Sequence, residues 1–103
     1  MINKIRECFN RVLFTKHARD EMEIEEFGEI SHEEVSQVSI TGKVIEEYPD
    51  DEPYPSCLIH GTTEEGRHLH IVCAYSEEED LAIIVTVYQP DPRRWEDYER
   101  RKK

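Results

Sequence analysis

Leu69-His70-Ile71-Val72-Cys73-Ala74-Tyr75 and, past the acidic turn Ser76-Glu77-Glu78-Glu79-Asp80, Leu81-Ala82-Ile83-Ile84-Val85-Thr86-Val87-Tyr88 decide the fold. Both runs are short, rich in β-branched and aromatic residues and separated by turn formers, which predicts two antiparallel strands of one hairpin. With residues 76–80 as the loop, Leu69, Ile71, Cys73 and Tyr75 come opposite Val87, Val85, Ile83 and Leu81, while His70 faces Thr86 and His68 faces Tyr88. A slip by one residue would mix apolar and polar side chains on one face, so burial selects this parity. His68, His70, Thr86 and Tyr88 then form a polar cluster at one end of a sheet face whose other end, Val72, Ala74, Ala82 and Ile84, is apolar. Apolar residues on both faces predict a central hairpin covered by helices.

Outward from the hairpin, Ser56 to Thr62 and the stretch from Lys43 to Tyr48 read as two more strands, separated by the turn-rich Pro49-Asp50-Asp51-Glu52-Pro53-Tyr54-Pro55. Upstream, Ser31 and Glu34 form a capping box, with Ile30 and Val35 as its hydrophobic staple, and start a helix that ends at Gly42. Thr15 caps an earlier helix from Lys16 to near Gly28 that turns Ala18 and Met22 inward. Ile2, Ile5, Phe9 and Val12 give residues 2–12 an apolar helical stripe, and Val12 to Thr15 leave room for a short extra edge strand. Downstream, Pro90 and Pro92 end ladder pairing, and Asp91 as cap with Pro92 at the first helical position predicts a C-terminal helix bearing Trp95 and Tyr98. The expected architecture is a single α+β domain over residues 1–103. It has a four-stranded antiparallel sheet, N-terminal helices of which residues 1–12 are the first and amphipathic, and a C-terminal helix.

A chain of 103 residues, 37% apolar and 36% charged, supports one modest core rather than two and is too apolar for wholesale disorder. No apolar run approaches the roughly 20 residues of a membrane helix. The N-terminus Met-Ile-Asn-Lys-Ile-Arg-Glu lacks the apolar run of a signal peptide, and three scattered cysteines do not read as a disulfide framework. Cytoplasmic location and unpaired Cys8, Cys57 and Cys73 are therefore expected, Cys57 and Cys73 falling on strands where opposite parity faces opposite sides.

The net charge of −11 argues against polyanion binding, but the average conceals a pattern. Residues 1–20 carry net +3, residues 21–80 net −16 and residues 81–103 net +2. In a domain of this size the ends are expected to share a face, which would gather Arg6, Arg11, Lys16, Arg93 and Arg100.

His17-Ala18 with Glu21-Met22, then Gly42-Lys43-Val44-Ile45-Glu46, Tyr54-Pro55-Ser56-Cys57-Leu58, Leu69-His70-Ile71-Val72, and Val85-Thr86-Val87-Tyr88-Gln89-Pro90-Asp91-Pro92 with Trp95 occur in that order. This set resembles the prokaryotic domain of unknown function 4258 over about residues 13–103. That family is similar to the RelE-like and BrnT-like toxins, whose small helix-plus-sheet fold cleaves RNA in type II toxin-antitoxin systems. The resemblance implies a toxin-like RNA endonuclease, with RNA as substrate and an antitoxin or other small protein as partner.

RNA cleavage through the 2′-hydroxyl needs a base, an acid and a cation for the crowded phosphate. His17, at a helix start that disfavours imidazolium, together with His70 and Tyr88 are the catalytic candidates. Arg19, Thr86 and Arg93 are the phosphate-binding ones. His17 and His70 are expected to share one pocket. The same residues have a plainer reading, in which His17 bonds Glu21, His70 is a satisfied sheet residue and Trp95 and Tyr98 are core. His68-Leu69-His70 presents two imidazoles, with Cys57 near through the preceding hairpin, but two ligands are not a site and no Cys-x-x-Cys or His-Glu-x-x-His spacing occurs. No metal or cofactor is expected. A different class of function stays open, a non-catalytic interaction module whose acidic middle binds a basic partner.

Overall fold

The structure, a computed structural model, describes residues 2–7 and 11–103. Along the chain come α1 (Ile2–Glu7), β1 (Val12–Phe14), α2 (Lys16–Ile24), α3 (His32–Thr41), β2 (Lys43–Tyr48), β3 (Ser56–Thr62), β4 (His68–Ser76), β5 (Leu81–Tyr88), β6 (Trp95–Glu96) and β7 (Arg100–Arg101). The expectations placed on Cys8 and Phe9 fall outside the described residues. No helix among the described residues is long and apolar enough to cross a membrane.

The main sheet has five strands in the order β1-β5-β4-β3-β2. The four predicted strands are antiparallel neighbours, and the short stretch at Val12–Phe14 adds a fifth that runs parallel to β5. The sheet is therefore mixed, not purely antiparallel. All three helices pack on one face, where Ala18, Met22, Ile30, Val35 and Val38 meet Ile59, Leu69, Ile71 and Val87 in a single buried core.

Local signals in the sequence set the helix starts. Thr15 Oγ1 accepts from Ala18 N–H (3.0 Å), and Ser31 and Glu34 close a reciprocal capping box at 2.9 and 3.1 Å. Ile30 and Val35 are both buried, as the staple requires. α3 stops at Gly42, whose N–H bonds Val38 O at 2.7 Å. A methyl group on Gly42 would run into Val38 O and, at 2.7 Å, His60 O, both of them backbone. Gly42→Ala should therefore cost about 1–3 kcal/mol of stability through overpacking, read as a lower urea midpoint at unchanged slope. An unchanged midpoint would show that α3 and β3 give way freely.

Further expectations are corrected. The β4–β5 register pairs His70 with Tyr88, Ile71 with Val87 and Val72 with Thr86, then Cys73 with Ile84, so Val85 is an extra, bulged residue. His70 thus faces Tyr88 rather than Thr86, and past the bulge the parity of β5 reverses. Ala82 and Ile84 consequently lie in the core with Cys73, not on the His70 face. Thr15 steadies the bulge, donating from Oγ1 to Val85 O at 3.2 Å.

The second correction concerns the C-terminus, which folds as a hairpin instead of a helix. Asp91 does cap one turn, accepting from Arg93 N–H at 2.8 Å, but the chain then forms β6 and β7. Asp97 and Tyr98 sit at φ 53° and 62°, and two consecutive left-handed residues end any α-helix.

Cys57 and Cys73 are both free thiols, but not because they face opposite sides. They are direct register partners on the core face, and burial pushes the Cys57 thiol up to about 11.

Candidate functional site

Register brings three polar residues into one row across the face opposite the helices: His60 on β3 pairs with His70 on β4, which pairs with Tyr88 on β5. His68 shares that face, about 7 Å from His70 along the strand. The β6–β7 hairpin lies over this row. Trp95 meets the His70 ring edge-on with centroids 4.5 Å apart, and the Tyr98 ring stacks on His68 at 3.8 Å and 12°.

His70 is fully buried and both its nitrogens are engaged. Nε2 lies 2.5 Å from Tyr98 O and Nδ1 3.1 Å from the Tyr88 hydroxyl. A carbonyl only accepts, so Nε2 carries the hydrogen, and in the neutral ring Nδ1 accepts from Tyr88. Burial pushes the His70 pKa down to about 4, which keeps this tautomer through the neutral range. Burial also raises the Tyr88 phenol, which stays protonated.

Beside this lies a second set of bonds. Glu99 Oε2 lies 2.7 Å from His60 Nδ1, and His60 Nε2 lies 2.9 Å from His68 Nδ1. Lys43 Nζ holds the other oxygen of Glu99 at 2.8 Å, and Lys43 and then His60 keep that carboxyl below its usual range. Burial, with His60 second, lowers the His68 pKa. The hairpin is anchored further by Arg101, which bonds both oxygens of Glu46 at 2.9 and 3.1 Å and lies 4.7 Å from the Trp95 ring centroid.

Where β5 gives way to the hairpin, a cleft of about 620 Å³ opens between Tyr88, Trp95 and a rim of Arg93, Arg94, Arg101, Lys102 and Lys103. Its one acid, Asp91, is bound to Arg93 at 3.0 Å. Arg94, Lys102 and Lys103 form no ion pair among the described residues, so their charge is open to an anion.

Of the candidate site residues, the structure gathers His70, Tyr88 and Arg93 at or beside this cleft, with Thr86 on the same sheet face. It does not bring His17 and Arg19 there. Both are exposed on α2, on the helical side of the sheet, and His17 Nε2 lies 3.3 Å from Glu21 Oε1. Glu21 Oε1 also accepts from Val87 N–H (3.0 Å) and Glu25 Oε2 from Gln89 N–H (3.4 Å). These carboxylates cover the β5 edge beyond the end of β1. The shared basic face does not form either: Arg6 caps α3 through Gly42 O at 2.7 Å and Arg11 bonds Glu79 O at the far end of β5. Lys16 pairs with Asp20 on α2, and only the C-terminal cations meet at the cleft. Cys57 points into the core, away from His68 and His70, and no group of three His, Cys, Asp or Glu among the described residues is arranged to hold a metal.

The family model for the domain of unknown function DUF4258 matches residues 14–89, well over half of the chain. The chain belongs to the DUF4258 family. The match takes in this DUF4258 domain from Phe14, the last residue of β1, through β5, and hence His60, His68, His70 and Tyr88. Trp95, Tyr98, Glu99, Arg101 and the basic rim follow it. Comparison with curated proteins returns no match, and comparison with solved structures returns none.

His60 and Glu99 escaped the sequence reading. His60 was legible in principle, because an antiparallel β3–β4 turn sets it beside His70. Glu99 was not, since its place on a helix would have turned it elsewhere.

Proposed function

We propose that this protein is a toxin-like RNA endonuclease, and that the cleft beside Tyr88 takes the RNA. The observation that carries this is the gathering of five cations around one cleft in a chain of net charge −11. Affinity for a polyanion depends on local Lys and Arg; Asp91 offsets Arg93 and Glu46 offsets Arg101, which leaves Arg94, Lys102 and Lys103 as the uncompensated charge at the cleft. Tyr88 has one hydroxyl hydrogen, which rests on His70 Nδ1; turned from there to a phosphate oxygen or a leaving oxygen, it supplies metal-independent acid chemistry and leaves Nδ1 as an unmet acceptor. Arg94, Lys102 and Lys103 supply the charge for the phosphate. On this reading a small antitoxin-like protein, itself a proposal, would cover the cleft in the cell.

The test is binding and cleavage of single-stranded RNA by the partner-free protein. Changing Arg94, Lys102 and Lys103 together to alanine should flatten the plot of log affinity against log salt by about 2, from roughly 0.7 per phosphate contact. Binding whose salt dependence ignores these three residues would place RNA elsewhere or nowhere.

One observation favours a second reading. Ile24 and Phe27 are 78% and 66% exposed among Glu23, Glu25, Glu26 and Glu29, a surface suited to a basic partner with apolar anchors. In that reading the protein is a non-catalytic interaction module, and RNA would be left intact.

A further inference from the structure

Glu99, His60 and His68 stand in one line of hydrogen bonds, and the carboxylate at its end fixes each proton along it. Glu99 is an acceptor, so His60 Nδ1, 2.7 Å from it, must donate. A neutral His60 then keeps only a lone pair on Nε2. His68 Nδ1, 2.9 Å away, must carry the hydrogen of that bond. His68 Nε2 is left as a bare lone pair. It has no hydrogen-bond partner among the described residues, and the fully buried side-chain polar atom without a partner there is Ser39 Oγ, so His68 Nε2, on a half-buried ring, keeps some exposure to solvent. Stacking on Tyr98 holds the plane of the ring.

We propose that Glu99, His60 and His68 form a proton relay that presents His68 Nε2 as a base to a hydroxyl-bearing substrate. That the hydroxyl is a ribose 2′-hydroxyl rests on the RNA reading above. In the step, the substrate O–H bond breaks and His68 Nε2–H forms. His68 Nδ1–H breaks as His60 Nε2–H forms, and the positive charge comes to rest on His60, whose side chain is only 10% exposed and faces Glu99. The substrate keeps the electron pair as an alkoxide. This is how a carboxylate behind an imidazole supports proton transfer without being protonated itself. His68 is the catalytic group, and His60 and Glu99 are positioning residues.

Several charged and titratable groups surround the relay: Asp97 and Arg100, paired at 3.4 Å, line a cavity with Lys43 and Glu99, and Arg100 also meets Glu96 at 3.5 Å. Lys43 on β2 shares Glu99, and His70 on β4 has its ring 5.6 Å from that of His60. Tyr98 on the hairpin covers His68, while Glu46 and Arg101 pair with each other.

Two-bond proton–nitrogen correlation spectra of the full chain at neutral pH decide the matter. His60 and His68 are expected as Nδ1–H tautomers and His70 as Nε2–H, although a free neutral imidazole favours Nε2–H. A neutral His68 found as Nε2–H overturns the proposal. In Glu99→Gln His68 should titrate lower still and revert to Nε2–H, while Glu99→Asp restores both. The single tryptophan, Trp95, reports whether each variant keeps its hairpin. A His68 titration unmoved in a folded Glu99→Gln also overturns the relay. The expected tautomers together with no cleavage of RNA would uphold the relay and remove the RNA reading. Full RNA cleavage by His68→Gln would uphold the RNA reading and remove His68 as its base.

Discussion

Replacing His70 by alanine should cost about 3 kcal/mol or more at pH 7, free the C-terminal hairpin, and remove much of the protein's sensitivity to mild acid. The ring is fully buried and touches Trp95, so its loss opens a cavity beneath the hairpin. It also strands the Tyr88 hydroxyl and Tyr98 O, which it bonds at 3.1 and 2.5 Å. The acid dependence follows from burial. The folded pKa lies near 4 and the unfolded one near 6.5, so between those values the unfolded chain binds the proton and the folded chain does not. Stability is then full above about pH 6.5 and falls by roughly 3 kcal/mol as the pH drops toward 4, at about 1.4 kcal/mol per unit. His68, lowered also by burial, adds in the same direction and remains in the variant. Glu46 and Glu99, whose carboxyls are lowered, lose their contributions only in more acid solution. Urea titrations at several pH values measure the slope, and a red shift of the Trp95 emission reads the hairpin. Wild-type emission and a wild-type acid slope in the variant would show that His70 does not tie the hairpin to the sheet.

The features legible in the sequence were those specified by neighbours along the chain. Ser31 and Glu34 cap each other and Thr15 caps Ala18, so both helix starts follow from residues three apart. The four long strands follow from β-branched runs between turns. What the sequence hid depends on distant groups. An unbroken apolar run from Leu81 to Val85 reads the same with or without a bulge, and the bulge is held by Thr15, 70 residues away in sequence. The hairpin at residues 95–101 replaces a helix because Trp95 finds the His70 ring, Arg101 finds Glu46 and Glu99 finds His60, none of them local. The site was legible in the same partial way. Alternation along β4 and β5 already set His68, His70, Thr86 and Tyr88 on one face. His17 was drawn toward them by a helix packed across that face, whereas α2 packs on the other.

Changing Tyr88 to phenylalanine should reduce RNA cleavage about a hundredfold to ten-thousandfold, the usual worth of a positioned acid or base, while RNA affinity stays close to that of the wild type. The argument starts from its two surroundings. One edge of the ring faces the His70 row, where the hydroxyl donates to Nδ1, and the other lines the basic cleft. Burial keeps the phenol protonated, so its one hydrogen, on turning away from His70 Nδ1, can go to an oxygen that gains charge, while the phenol cannot serve as a ready base. Base work falls to another group, for which His68 Nε2 is the bare nitrogen on the same sheet face. The phenylalanine keeps the ring, leaves the five cations in place and exposes no new surface. Its structural cost is one unmet acceptor on His70, about 1 kcal/mol, too little to unfold the domain. Tyr75→Phe, which loses a hydroxyl bound to Asp80 at 2.9 Å near the opposite end of β5, is the matched control and should cleave normally. Cleavage and binding are measured separately on the same RNA, because a merely electrostatic cleft would bind in both variants and cleave in neither. Equal cleavage by wild type and Tyr88→Phe would remove the phenol from the chemistry. Binding without cleavage by the wild type itself would leave a cleft that holds RNA and does nothing to it, and the acidic, apolar surface at Ile24 and Phe27 would then become the better place to look for what the protein does.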